Sequence, residues 1–234
     1  MDGGNSTTTS HAGAQHFCQV IKSRLDAEKR TNVLVAGCGL GDEALDIRRS
    51  LGVPVEGVDI DQQWSDSFGV DVDNFRLARA SILDLPFADN SFDTVFYHHV
   101  IEHVADPLRS LAELARVLVP GGLIYVGTPN RHRVVGYIGS PTASWREKVK
   151  WNVGDYRDRI RGKFRNELGA HAGFTEKELR DLLNQRYIDI DFLTADYLNF
   201  KYGHRLPRAV LSFLSARPVI GVAAPAVYAV ARRR

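Results

Sequence analysis

The stretch "NVLVAGCGLGDEALDI", residues 32–47, is a β-rich run that enters Gly37-Cys38-Gly39-Leu40-Gly41 and continues as a helix. Glycine in a strand-to-helix turn supplies positive φ and lets a ligand approach the backbone. A dinucleotide site asks for more: glycine or alanine three residues after the second glycine, and a helix N-terminus free to receive a pyrophosphate. Asp42 and Glu43 open this helix instead. Two carboxylates there repel a pyrophosphate, so the turn suits a ligand without phosphates.

About twenty residues on, "VEGVDID" ends a second β-rich run at Asp59, where a carboxylate can accept hydrogen bonds from both hydroxyls of a ribose. Glycines, no phosphate and a ribose acceptor together describe an adenosine with a non-phosphate tail. S-adenosylmethionine (SAM) fits that description.

The same alternation runs through the rest of the chain. Further strands are expected over 75–80, 92–98, 123–128, 187–194 and 226–231. Between the fourth and fifth, Asp106 can cap a helix and Pro107 suits its first position. Leu108, Leu111, Leu114, Ala115 and Leu118 form its apolar face, and "PGG" stops it. "TEKELRDLL" (175–183) opens with a capping-box pattern, Thr175 with Glu178. Residues 194–214 are read as a strand and helix before the last strand. The fold expected is α/β, a doubly wound, mostly parallel seven-stranded sheet with a substrate-side insert.

Four segments follow: a disordered leader (1–12), a ligand-binding core (13–130), an irregular insert (131–170) and the rest of the sheet (171–234). The insert carries ten Lys/Arg against four Asp/Glu. It follows a strand's carboxyl end, so it is expected to overhang the ligand crevice as a lid. Trp145, Trp151, Tyr137 and Tyr156 can stack on an acceptor or form the insert's own small core. Net charge is only +2 over 234 residues, which argues against nucleic acid. Cys18 and Cys38 match no zinc or disulfide pattern, and the N-terminus has no signal-peptide pattern, so a cytoplasmic setting is expected. "PVIGVAAPAVYAVA" (218–231) is too short and proline-broken to span a membrane.

"VLVAGCGLGDEAL", "VEGVDID", "ASILDLPFADNSFDTVFYHHVIEHVADP" and "LARVLVPGGLIYVGTPN" stand in the order and spacing of class I SAM-dependent methyltransferases. The chain resembles that Rossmann-like family, most closely its "LPF…D.SFD" group, over roughly residues 31–130 and again at "GFTEKELRDLL". The resemblance implies that Gly37, Cys38, Gly39 and Gly41 line the methionine end of SAM. Asp59 then holds the ribose, Ile60 packs on the adenine, Ser81 and Ile82 meet the adenine edge, and His98 reaches the sulfonium side. One departure stands out: Val35 occupies the place where the family usually has Asp or Glu.

"FYHHVIEHVADP" (96–107) carries the remaining chemistry. Relatives with Glu-x-x-Glu-His here bind a divalent metal, and this chain reads His99, Glu102 and His103, with His171 or His132 to complete the set. A metal held there, Mg²⁺ or a transition metal, lowers the pKa of an acceptor hydroxyl. The alternative is a metal-free histidine base among His99, His103 and His171, or a merely structural "EH". The expected function is methyl transfer from SAM to a hydroxyl of a small molecule or oligosaccharide. One alternative is a membrane-associated quinone or lipid acceptor reached by peripheral membrane contact. The other is a non-catalytic scaffold, favoured only by Val35.

Overall fold

The computed structural model describes residues 11–24, 31–62, 64, 73–137 and 143–234. In chain order the elements are α1 (Ala12–Arg24), β1 (Val33–Ala36), α2 (Asp42–Leu51), β2 (Val55–Asp59), β3 (Phe75–Arg79), β4 (Phe92–His98) and α3 (Pro107–Val117). There follow β5 (Leu118–Pro129), α4 (Trp145–Ile160), α5 (Glu176–Leu183), β6 (Tyr187–Phe192), α6 (Thr194–Tyr202), α7 (Arg208–Ser215), α8 (Ile220–Ala223) and β7 (Ala226–Arg233).

The seven strands form one sheet in the order β3-β2-β1-β4-β5-β7-β6. Strands β1 to β5 are parallel, and β7 runs antiparallel between β5 and β6. Because successive strand residues point to opposite faces, β1 feeds two cores. Val33 and Val35 join α1 and α2 through Phe17, Ile21, Ala44 and Ile47. Leu34 and Ala36 join α3 and α5 through Leu111, Leu114, Leu179 and Leu183. Truncating a side chain as buried as Phe17 costs about 3–5 kcal/mol.

This is the doubly wound fold expected. Its strand order reverses between β1 and β4, and that switch point opens a crevice beyond their carboxyl ends. The α3 cap is as read: Asp106 accepts from the Arg109 amide at 3.0 Å and Pro107 sits in the first turn.

Several local expectations are corrected. Leu108, in the first turn of α3, is 41% exposed and lies outside the buried set. The helix ends at Val117, so "PGG" lies inside β5, where the register with β4 shifts and Gly121 takes φ +75°. Residues 194–214 hold helices α6 and α7 and no strand. The supposed irregular insert contains α4, closed by a Ser144–Glu147 capping box. Residues 1–10 of the leader lie outside the described residues, while His11 bonds Asp46 at 3.1 Å and Ala12 starts α1.

Candidate active site

Two lips bound the crevice. The β1 lip is mostly backbone. Gly37, Gly39 and Gly41 have φ of +78°, +51° and +90°, all in the region that L side chains avoid. A Cβ on Gly37 would overlap Val100, whereas one on Gly39 would meet nothing within 4 Å. The turn is tied to β2 by Asp59, whose Oδ2 accepts from the Gly39 amide at 2.8 Å and whose Oδ1 accepts from the Asp61 amide at 3.1 Å. Each oxygen retains a second lone pair for a ribose hydroxyl.

Around this lip Ile60 is 62% exposed and Leu40 57%, an apolar rim beside a carboxylate. Cys38 is buried beneath the turn, and burial pushes its thiol up to about 12, so it is an inert filler. Ser81 and Ile82 lie beyond β3; Ser81 Oγ accepts from the Leu83 amide at 3.2 Å and Ile82 packs on the core. An exposed apolar surface beside a carboxylate with spare acceptors fits an adenosine.

Val35 is 1% exposed inside the α1–α2 core. A carboxylate there would need a buried partner. An acid does come from α2: Glu43 lies 3.2 Å from His98 Nδ1. Burial would raise the Glu43 carboxyl, but His98, His99 and His11 outweigh it and hold the group below the usual carboxylate value.

His98 is held on three sides. A Cβ on Gly13 of α1 would land on the ring, one on Gly127 of β5 would reach its Cδ2 at 2.6 Å, and the Tyr228 ring stacks at 5.9 Å. Its Nε2 is buried with no hydrogen-bond partner among the described residues. Buried polar atoms of this kind call for an explanation, and a bound ligand is one.

The β4 lip is made of side chains. His99 follows the strand with φ +55°, a conformation in which His is over-represented among non-glycine residues, and its amide donates to Gly127 O at 2.8 Å. Its Nδ1 lies 3.4 Å from Oε1 of Glu102, in the short 3-10 helix Ile101–His103. The other Glu102 oxygen accepts from Thr128 Oγ1 at 3.1 Å. The Glu102 side chain is 1% exposed and that of His99 is 42% exposed.

The chemistry of the pair follows from that asymmetry. Burial would raise the Glu102 carboxyl, but the bond from His99, the charges of His99 and His103 and a backbone bond hold it below the usual value. The protein surrounding the His99 ring, together with His98, lowers its proton affinity more than Glu102 and Glu43 raise it. Solvent still reaches the ring, as expected at the floor of a cleft. The state at neutral pH is a carboxylate beside a neutral imidazole. A carboxylate facing Nδ1 keeps the proton there and leaves the Nε2 lone pair free.

His103 Nε2 lies 3.9 Å from Glu102, and the His103 and His171 rings meet edge to face at 4.6 Å. The crowding of His171 by protein and by His103 lowers its proton affinity. The structure therefore brings His99, Glu102, His103 and His171 together, with His171 rather than His132 beside His103. Their arrangement does not suit a metal: no three His, Cys, Asp or Glu among the described residues are placed to hold one. The physical reason lies in Glu102. One of its oxygens is taken by Thr128 and the other is shared between two imidazoles, so the acid is turned inward.

Sequence reading missed Glu43 as a partner of His98, Thr128 as a partner of Glu102, and the trio in which buried His16 meets buried Tyr125 and exposed Asp196. His16 bonds Tyr125 Oη at 2.8 Å and Asp196 at 3.1 Å. The vacancy at Val35 was the available signal for Glu43, since it asks which other acid reaches the crevice. Of the insert's aromatic residues, Tyr137 and Trp151 pack edge to face at 5.2 Å, and the Tyr137 hydroxyl donates to Asp155 at 3.0 Å. Trp145 is 70% exposed.

Residues 34–126 match the methyltransferase domain family. A probable S-adenosylmethionine-dependent methyltransferase of Mycobacterium tuberculosis is 38% identical over 115 residues, covering 48% of this chain and 41% of that protein. The O-methyltransferase resE of Aspergillus sclerotiorum is 27% identical over 128 residues, 52% of this chain and 48% of its own. The chain thus spans less than half the length of these curated relatives. Among solved structures, phosphoethanolamine N-methyltransferase 2 of Haemonchus contortus, in complex with S-adenosyl-L-methionine, superposes with a TM-score of 0.59 at 17% identity. That match covers 93% of this chain and 52% of the other, and is a likeness of fold.

Proposed function

We propose a function for this chain from the class I SAM-dependent methyltransferase family to which residues 34–126 belong: it methylates a hydroxyl of a small polar acceptor, such as a sugar, glycan or natural product, with His99 as general base. The observation that carries this reading is the His99–Glu102–Thr128 relay on the lip opposite Asp59. The relative named as an O-methyltransferase supports the oxygen preference.

Bound SAM supplies a methyl group already activated on a sulfonium. The chain's own part is to hold the ribose at Asp59, to admit the ligand's tail against Gly37 and Gly39, and to present His98 and Glu43 toward its polar end. His99 Nε2 takes the acceptor's hydroxyl proton as the oxygen gains the methyl group. Glu102 orients the imidazole and stabilises the imidazolium that forms, and Thr128 fixes the carboxylate. An aligned base of this kind accelerates transfer by about 10²–10⁴-fold. The insert, rooted beside His171, is the proposed wall over the acceptor.

The experiment is a two-step titration. S-adenosylhomocysteine is titrated into the protein by calorimetry, and hydroxylated acceptors are then screened with methyl-labelled SAM, with and without chelator. Micromolar one-to-one binding and chelator-insensitive transfer to a hydroxyl are the expected results. Absence of binding in folded, ligand-free protein overturns the reading in favour of a scaffold, and loss of turnover with chelator overturns the metal-free base.

A further inference from the structure

Helix α4 is unlike the other helices, because none of its residues is buried. It also carries two parallel rows of side chains. Trp145, Val149, Val153, Tyr156 and Ile160 recur at helical spacing and span an arc of about 80°. All are exposed, Ile160 at 88%, Trp145 at 70% and Val153 at 62%. Next to four of them, one position further along the chain, stand Arg146, Lys150, Arg157 and Arg161, also exposed, while Gly154 follows Val153.

The third side of the helix faces the protein. Asn152 bonds Gly136 at 2.7 Å, Asp155 pairs with buried Arg133 at 2.6 Å, and Arg159 donates to Arg133 O at 3.1 Å. The helix is therefore clamped in one orientation with both rows turned outward. The apolar row continues onto the body: the Tyr156 hydroxyl bonds Val134 O, and the Val134 amide bonds Val222 O at 2.9 Å. Val134 is 51% exposed and Val222 44%. Acids do not break the basic row. Glu147 and Asp158 sit beyond it; Arg157 lies 3.6 Å from Asp158, and Lys150 acts on Glu147 by charge alone.

We infer that α4 is a membrane-surface helix that lies flat on an anionic bilayer, with its apolar row at the acyl boundary and its basic row on lipid phosphates. An interfacial helix needs both a hydrophobic strip and a cationic strip along its whole length, because a bilayer offers apolar and anionic layers side by side. Sixteen residues give a strip of about 24 Å. A narrow apolar arc suits shallow insertion, and no helix among the described residues is long and apolar enough to cross a membrane. A nucleic acid would use the basic row but gain nothing from Val149, Val153 and Ile160, which offer no ring on which to stack a base.

The test is co-sedimentation of the full chain with vesicles of phosphatidylcholine alone and of phosphatidylcholine with phosphatidylglycerol. Binding should require the anionic lipid and weaken with salt. A Val149→Ser, Ile160→Ser variant and an Arg157→Gln, Arg161→Gln variant should each lose about tenfold or more in partitioning. Both alter only exposed side chains, and unchanged thermal denaturation will show that they fold. No binding to anionic vesicles overturns the inference, as does retained binding in both variants. So does a result in which these substitutions abolish self-association or nucleic-acid retention while the parent protein ignores vesicles.

Discussion

The two lips of the crevice are built by opposite means. The β1 lip is a backbone device: three glycines at positive φ and a single carboxylate, Asp59, that ties the turn to the next strand. The β4 lip is a side-chain device, in which His99 at a left-handed position is oriented by buried Glu102, itself fixed by Thr128. Backbone sites bind what many proteins share, because every residue supplies the same amide. Side-chain sites carry what is particular to one reaction. The difference predicts that the lips can be broken separately.

The largest effect is expected on the side-chain lip. His99→Gln removes the proposed base and leaves Asp59 in place, so turnover should fall by about 10²–10⁴-fold with S-adenosylhomocysteine affinity unchanged. Asp59→Ala should do the reverse. Losing charge-assisted hydrogen bonds worth about 1.5–3 kcal/mol each weakens S-adenosylhomocysteine by at least about tenfold. Turnover at saturating SAM should change much less. If either variant lowers both quantities equally, the lips are one unit and the comparison fails.

A smaller effect separates glycines within the backbone lip. Gly37→Ala brings a methyl into Val100 at φ +78°, while Gly39→Ala meets open space and bears only the cost of φ +51°. Both should destabilise, Gly37→Ala by roughly 1–3 kcal/mol more, since an overpacked position adds that much. Urea denaturation measures the difference, and equal losses would mean that the turn relaxes away from Val100.

How much of this was legible depends on the same contrast. The glycine turn and Asp59 were readable because each is a local pattern, and the strand 92–98 because Thr94, Val95, Phe96 and Tyr97 run unbroken there. His99, Glu102 and His103 were visible as neighbours, but Thr128 is 26 positions from Glu102, and Glu43 is 55 from His98. Only the sheet brings such pairs together. The metal expectation finds no support among the described residues for a related reason: spacing put the donors in one place but could not show that Glu102 bonds Thr128. Helix α4 was missed although Ser144 and Glu147 form its cap, because its apolar residues face out and its inward face is polar, the inverse of the usual pattern. Helix α1 hid behind a polar leader, with Phe17, Val20 and Ile21 as its only large apolar marks.

The smallest effect is in the pH profile, and it tests what Glu102 does. The proposed working form of His99 is the neutral imidazole, and the surrounding protein with His98 lowers its proton affinity against the pull of Glu102 and Glu43. Turnover should therefore rise with pH through a midpoint below the 6.5 of an ordinary histidine and be level at neutral pH. Glu102→Gln removes a group that raises the proton affinity, so the midpoint should move lower still, while the plateau drops because nothing fixes the tautomer. A midpoint that moves upward contradicts the pairing. Stability supplies a parallel check away from the crevice. His16 is 1% exposed, and burial lowers its proton affinity against the opposing pull of Asp196. The unfolded chain then holds that proton more tightly, so protonation costs stability as pH falls below about 6.5, and the loss levels off below the folded value. His16→Gln should flatten that part of the stability curve and leave the midpoint of turnover where it was. A shift in both would couple the α1 core to the β4 lip through His98, which Gly13 of the same helix touches.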